Sequence, residues 1–146
     1  MLKNIFICVL LMVVLNACHS VPVINVLPEL KHTLSMQIID VNGNNSLLLI
    51  EPLGRQQWRF VQVDSLGAPI SRQILQNGKW RNDGFMPPNP SARQLFSAVY
   101  AYLGQQHHWP IPSVLNDVKI VTGKGDTVAD ISWKNQHWQI RELADE

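Results

Sequence analysis

Cysteine is almost absent from this 146-residue chain: there are two, Cys8 and Cys18. Beyond Cys18 no thiol remains for a disulfide or a thiolate metal site. Charge is also scarce. Charged residues make up 16%, with 12 Lys and Arg against 11 Asp and Glu, for a net charge of +1. Electrostatic capture of nucleic acid needs a basic face, so this balance speaks against that partner. Catalytic signatures are missing as well: there is no G-x-S-x-G, no H-E-x-x-H and no spaced Cys/His set. Gly123-Lys124-Gly125 lacks both the glycine five residues before the G-K pair and the Ser/Thr after it, and reads as a hairpin turn. His107 and His108 are adjacent, point in different directions and have no third ligand at an obvious spacing. Asp126 and Asp130 read as a turn residue and a solvated strand residue. The expectation is a protein that is not an enzyme and carries no metal or cofactor.

The one long apolar run is IFICVLLMVVL at 5–15, roughly 11 residues where a spanning helix needs about 20. Lys3 precedes it and small residues follow, the pattern of an export signal. Leu15-Asn16-Ala17-Cys18 resembles the bacterial lipoprotein box. That resemblance implies cleavage before Cys18 and lipidation of Cys18, and two or more acyl tails suffice for stable anchoring. Ordinary secretion with Cys18 as a free thiol is the competing expectation. His19 and Ser20 follow the cysteine where inner-membrane retention would use Asp, which implies sorting to the outer membrane. The expected layout is a signal peptide at 1–17, a lipidated anchor and tether at 18–30, and a single domain at 31–146. The tether segment SVPVINVLPE is about ten residues, reaching at most roughly 35 Å. The partner implied by the anchor is the inner leaflet of the outer membrane, with a monomeric domain facing the periplasm.

From Leu34 the pattern has period two. Leu34, Met36 and Ile38 alternate with Ser35 and Gln37, as a half-buried strand does. Asn42-Gly43-Asn44-Asn45 is a turn cluster, LLLIE at 47–51 a return strand, and Pro52-Leu53-Gly54 a break. Strands follow at 58–63 and 68–75, and Asn77-Gly78 is the dipeptide most typical of a type I′ hairpin turn. Further strands are expected near 118–121, 128–133 and 137–142, the last two linked by Asn135-Gln136. Between the two groups NPSARQLFSAVYAYLG predicts a helix, with Asn89 as N-cap, Pro90 first and Gly104 as the stop. Ala92, Leu95, Phe96, Val99, Tyr100 and Leu103 form a broad apolar stripe on it. A second short helix or turn is expected after Pro112. Strands, a helical insert and more strands predict an α+β fold built on an antiparallel meander.

Two features need more than periodicity. Trp58, Trp80, Trp109, Trp133 and Trp138, with Phe60, Phe85 and Phe96, are many rings for a small domain; they suit a packed core or the lining of an apolar pocket. Leu66 stands in the break VDSLGA, where a turn residue belongs.

LLLI at 47–50, VDSLG at 63–67 and WPIPSVL at 109–115 together resemble LolB, the outer-membrane lipoprotein receptor family. More of the chain, 48–103, is similar to a family of proteobacterial lipoproteins often encoded beside aryl-polyene synthesis genes, through SLGAPISRQILQNGKWRNDGFMPPNPSARQLF and the lipoprotein box. The resemblance implies a curved antiparallel sheet forming an incomplete LolA/LolB-like β-barrel lidded by helices. It implies binding of a lipid or acylated client in an apolar cavity, for delivery of aryl-polyene lipids or lipoproteins to the outer membrane. Leu66 matches the receptor's protruding loop leucine and is the expected membrane contact; Pro110 and Pro112 match its lid-region prolines. Asp64-Ser65 stands where the receptor has Asn-Pro. The cavity candidates are Trp58, Phe60, Leu95, Phe96, Val99, Trp109 and Ile111. Two alternatives stay open: Leu66 as a staple folded onto its own hairpin, and a non-catalytic structural or interaction lipoprotein with a solid core.

Overall fold

Where apolar residues alternate, the chain forms strands, and all of them join one sheet. The computed structural model describes residues 27–54, 56–123 and 128–144; the expected signal segment, Cys18, the expected tether up to residue 26 and the turn expected at 123–126 beyond Gly123 lie outside the described residues. Among the described residues there are eight strands: β1 (Leu34–Asp40), β2 (Asn45–Gly54), β3 (Gln57–Asp64), β4 (Pro69–Gln76), β5 (Lys79–Asn82), β6 (Lys119–Thr122), β7 (Val128–Trp133) and β8 (Gln136–Leu143). Helix α1 (Pro90–His107) and a 3-10 turn (Ser113–Leu115) lie between β5 and β6. The strand order is β5-β4-β3-β2-β1-β8-β7-β6, every pair antiparallel. The sheet is open, with β5 and β6 as its edges. The fold is α+β, as expected.

Period two decides which face is buried. Met36 and Ile38, Leu48 and Ile50, Trp58 and Phe60, and Ala129 and Ile131 are all fully or nearly fully buried on the face toward α1. Register aligns them across strands: Met36 pairs with Leu48, Ile50 with Phe60 and Ile38 with Ile140. The opposite face is held by ion pairs. Arg59 Nη1 lies 3.3 Å from Glu51 Oε2, and Asp83 Oδ2 lies 2.8 Å from Arg59 Nε and 3.0 Å from Arg72 Nη2.

Helix α1 begins where Asn89 was expected to cap it. Asn89 Oδ1 accepts the Ala92 N–H at 2.9 Å, with Pro90 at the first position. The Asn89 amide also donates to Ile70 O, tying the cap to β4. The helix does not stop at Gly104. It runs on to His107 and ends at His108, whose φ of 55° is left-handed. Gly104 instead makes room. A Cβ there would stand 2.7 Å from Ile111 Cγ1, so the glycine admits the returning chain. The chain leaves the sheet at the β5 edge and re-enters at the β6 edge, and α1 crosses the buried face between them.

Three boundaries differ from expectation. The break at Pro52-Leu53-Gly54 is a bulge within β2, where the register against β3 shifts between Pro52 and Gly54. The last hairpin turns on Lys134 and Asn135, both at positive φ (47° and 63°), one residue earlier than Asn135-Gln136. Leu27, assigned to the tether, is 2% exposed within the core, and its N–H donates to Gln56 Oε1 at 2.6 Å. Asn77-Gly78 is as expected, with both residues at positive φ (50° and 69°).

Candidate functional site

Two hairpins, β1–β2 and β3–β4, end at the same side of the sheet, and their turns are chemically the same. Each starts with an Asp at the strand end and carries a positive-φ glycine three residues on: Asp40 with Gly43 (φ 79°), and Asp64 with Gly67 (φ 84°). Asp40 Oδ1 accepts the N–H groups of Asn42 (2.8 Å) and Asn44 (2.9 Å); Asp64 Oδ1 accepts those of Leu66 and Ala68, both at 2.9 Å. The glycine N–H donates back to the Asp carbonyl in each, at 2.9 Å from Gly43 and 3.0 Å from Gly67. Asp and Gly therefore set the turn through the backbone, and the side chains of the two residues between them are not needed for it. That frees position 66 for leucine. Leu66 is 91% exposed, so it does not fold back as a staple. Val41, in the matching turn, is 69% exposed. The Asp40 carboxyl is held below its usual 3.8, chiefly by the Asn44 side-chain hydrogen bond, helped by the Asn44 and Asn42 N–H groups.

Between these tips and the first turn of α1 lies a cleft of about 550 Å³. Its buried part is apolar, formed by Ile38, Ala92, Leu95 and Trp138. Its outer part is amide-rich, with Asn44, Asn45, Gln62, Asn89 and Gln136 beside Asp40 and Asp64. Leu66 and Val41 thus stand at the end of the molecule on which this cleft opens.

Of the seven cavity candidates, Leu95 lines the cleft. Trp58 borders a separate hollow of about 330 Å³ at the other end, with Pro28, Leu30 and Pro52. Phe60, Phe96 and Val99 have no exposure and sit inside the core. Trp109 and Ile111 are half-buried and pack against that core. The rings form a continuous chain: Trp80 to Phe60 (4.9 Å between centroids), Phe60 to Phe96 (5.3 Å), Trp58 to Tyr100 (5.7 Å), and Trp58 to Trp109 (5.6 Å). Side chains, not open space, fill the region between β3–β5 and α1. Ile38, read as a strand residue, and Trp138, one of the rings suited to a core or a pocket, line the cleft, as does Val41, which no residue pattern singled out. The repeated spacing Asp40/Gly43 and Asp64/Gly67 was the signal that could have paired the two tips.

A polar line on the outer face of β7–β8 also has chemical content. Ser132 Oγ lies 3.0 Å from His137 Nδ1, and His137 Nε2 lies 3.5 Å from Asp130 Oδ1. His137 and Asp130 are each 44% exposed, and β7 is paired on both sides, which occupies its amides in the ladder. No pair of free N–H groups from that strand faces the hydroxyl to stabilise an oxyanion. Among the described residues, no group of three or more His, Cys, Asp or Glu could hold a metal, and no helix is long and apolar enough to cross a membrane.

Fold and site define an α+β protein whose open antiparallel sheet curls over one long helix, with a cleft and exposed apolar tips at one end. No protein-family model, curated protein or solved structure matches the chain.

Proposed function

We propose that the protein is an outer-membrane lipoprotein, anchored through Cys18 and facing the periplasm, that binds lipid or acyl chains on an incomplete LolA/LolB-like barrel. Its role is delivery of aryl-polyene lipids or lipoproteins to the outer membrane. The observation carrying this is a cleft of about 550 Å³ with an apolar floor, opening at the end where Leu66 projects into solvent. Its volume falls within the range of roughly 300–1,000 Å³ typical of small-ligand sites. An acyl tail would lie against Ile38, Leu95 and Trp138, and its head would meet the amides of Asn45, Gln62 and Gln136. The filled region around Phe60, Phe96 and Val99 limits the client to one slender tail unless α1 shifts.

The test is displacement of a fluorescent fatty acid from the protein. Saturable micromolar binding is expected, weakened about tenfold by Ser91→Trp, which places a ring across the cleft from an exposed position. No saturable binding at micromolar concentration defeats the proposal. The second function, a structural or interaction lipoprotein with a solid core, is favoured by the closed aromatic chain from Trp80 to Trp109, and it requires that negative result.

A further inference from the structure

We propose that Val41, Leu66 and Phe85 form a single three-point surface that seats this end of the sheet on a lipid bilayer; the proposal rests on the lipid-handling role above. Phe85, fully exposed, is the least buried large apolar residue described. Its loop is pinned beside the tips at both ends. Asp83 N–H donates to Arg72 O at 3.0 Å, and the Asn89 amide donates to Ile70 O at 3.4 Å. Both acceptors belong to the stretch of β4 that follows the Leu66 turn. Three separate loops therefore each push one apolar side chain out at the same end. Val121, similarly exposed at 65%, lies on the edge strand β6, six places from β4 in the strand order.

The backbone beneath the tips points to lipid as the partner. A tip entering an apolar layer must satisfy its own N–H groups, because nothing there replaces water. At the first tip Asp40 accepts the N–H groups of Asn42, Gly43 and Asn44; at the second, Asp64 accepts those of Leu66, Gly67 and Ala68. Each turn thereby satisfies three of its N–H groups without solvent. The spacing of the side chains agrees. A stable protein interface needs a contiguous patch of roughly 1,000 Å² or more, whereas these three side chains stand on separate loops, and an amide-rich cleft lined by Val41 opens beside them. A fluid bilayer takes separated prongs and leaves the cleft facing lipid heads. Lys134, in the neighbouring turn at this end, adds a cation; the carboxylates of Asp40 and Asp64 are engaged by backbone N–H groups, and that of Asp83 by Arg59 and Arg72.

Among the described residues every core residue lies between Leu27 and Ile140, so a chain starting at His19 keeps that core and lacks any lipid. Flotation of this chain with phosphatidylethanolamine–phosphatidylglycerol vesicles tests the surface. The parent chain is expected to float. Val41→Asp, Leu66→Asp and Phe85→Asp should each lower partition about fivefold, the triple variant should stay unbound, and Val121→Asp should match the parent. The milder set V41N, L66N and F85S gives the same order if a charged tip perturbs folding. A parent that ignores vesicles, whatever protein it captures, overturns the proposal, as does a triple variant that floats normally or a Val121→Asp variant that fails equally. Fatty-acid displacement separates the two ideas. Flotation through the three tips without displacement removes the lipid carrier and leaves the bilayer seat; displacement without flotation does the reverse.

Discussion

Arg93 and Gln94, consecutive residues of α1, hydrogen-bond to strands that stand five places apart in the sheet. Arg93 Nε donates to Gln73 Oε1 on β4 at 3.0 Å, and Gln94 Nε2 donates to Trp133 O at the end of β7 at 3.0 Å. Five spacings of a flat sheet cover about 24 Å, and a helix with its side chains is only about 10–12 Å wide. The sheet must therefore wrap the helix, and these two residues clasp its flanks.

The clasp is unequal, which makes it testable. Gln73 is 1% exposed and also donates to Ser71 Oγ and Asn89 O. Gln73→Ala takes the donor from Ser71 Oγ in the interior and should cost about 1–3 kcal/mol. Gln94→Ala removes bonds at a partly exposed site and should cost about 0.5–1.5 kcal/mol. Urea unfolding measures both; an equal or reversed order would show that the β4 flank does not hold the curl.

Gly104→Ala should destabilise the protein although alanine favours helix. The added Cβ meets Ile111 Cγ1 at 2.7 Å and Cδ1 at 3.0 Å, and the short loop through Trp109 leaves Ile111 little freedom to retreat. Overpacking of this kind costs about 1–3 kcal/mol, more than the roughly 1 kcal/mol of helix propensity gained. Ile111→Val should recover part of the loss, read as the melting temperature of the double variant. A Gly104→Ala protein more stable than its parent would mean that the loop yields.

Asp40 gives the acid limb of stability a named contributor. Its folded value is depressed, with the Asn44 side chain the largest cause. Sign follows from linkage: the stabilisation is present above the usual 3.8 and is lost as pH falls through the lower folded value. Urea midpoints between pH 6 and pH 2 should drop less steeply for Asp40→Asn than for the parent. Parallel profiles would remove Asp40 from that limb.

Much of the sheet was legible because it rests on local rules. Met36, Ile38, Leu48, Ile50, Trp58 and Phe60 alternate strictly, and burial on one face demands that alternation. Asn77-Gly78 declares its turn because few residues adopt two positive φ values in succession. What was not legible is nonlocal. The β1–β8 pairing joins residues about a hundred positions apart, and no local pattern announces it. Gly104 resembles a helix stop until Ile111 is seen lying against it. Leu27 belongs to a proline-bounded stretch without period, and only its docking into the core beside Gln56 shows why it is apolar. Leu66 was conspicuous alone, whereas Val41 and Phe85 gained meaning only when three turns were brought to one end.

Leu27 also sets a constraint on the anchor. It docks beside Gln56, at the end of the sheet opposite Leu66. The eight residues 19–26 that separate it from Cys18 span at most about 30 Å, and β3, with its 8 residues, is roughly 26 Å long. If Cys18 and the three tips enter the same bilayer, that segment must run back along nearly the whole domain, almost extended. Deleting residues 20–23 cuts its reach to roughly 17 Å, too short for the return. A polarity-sensitive fluorophore on Phe85→Cys in the lipidated protein should then lose its blue shift in proteoliposomes, while duplicating 20–23 should preserve it. A blue shift that survives the deletion would mean that the tips reach the bilayer without the tether passing along the sheet.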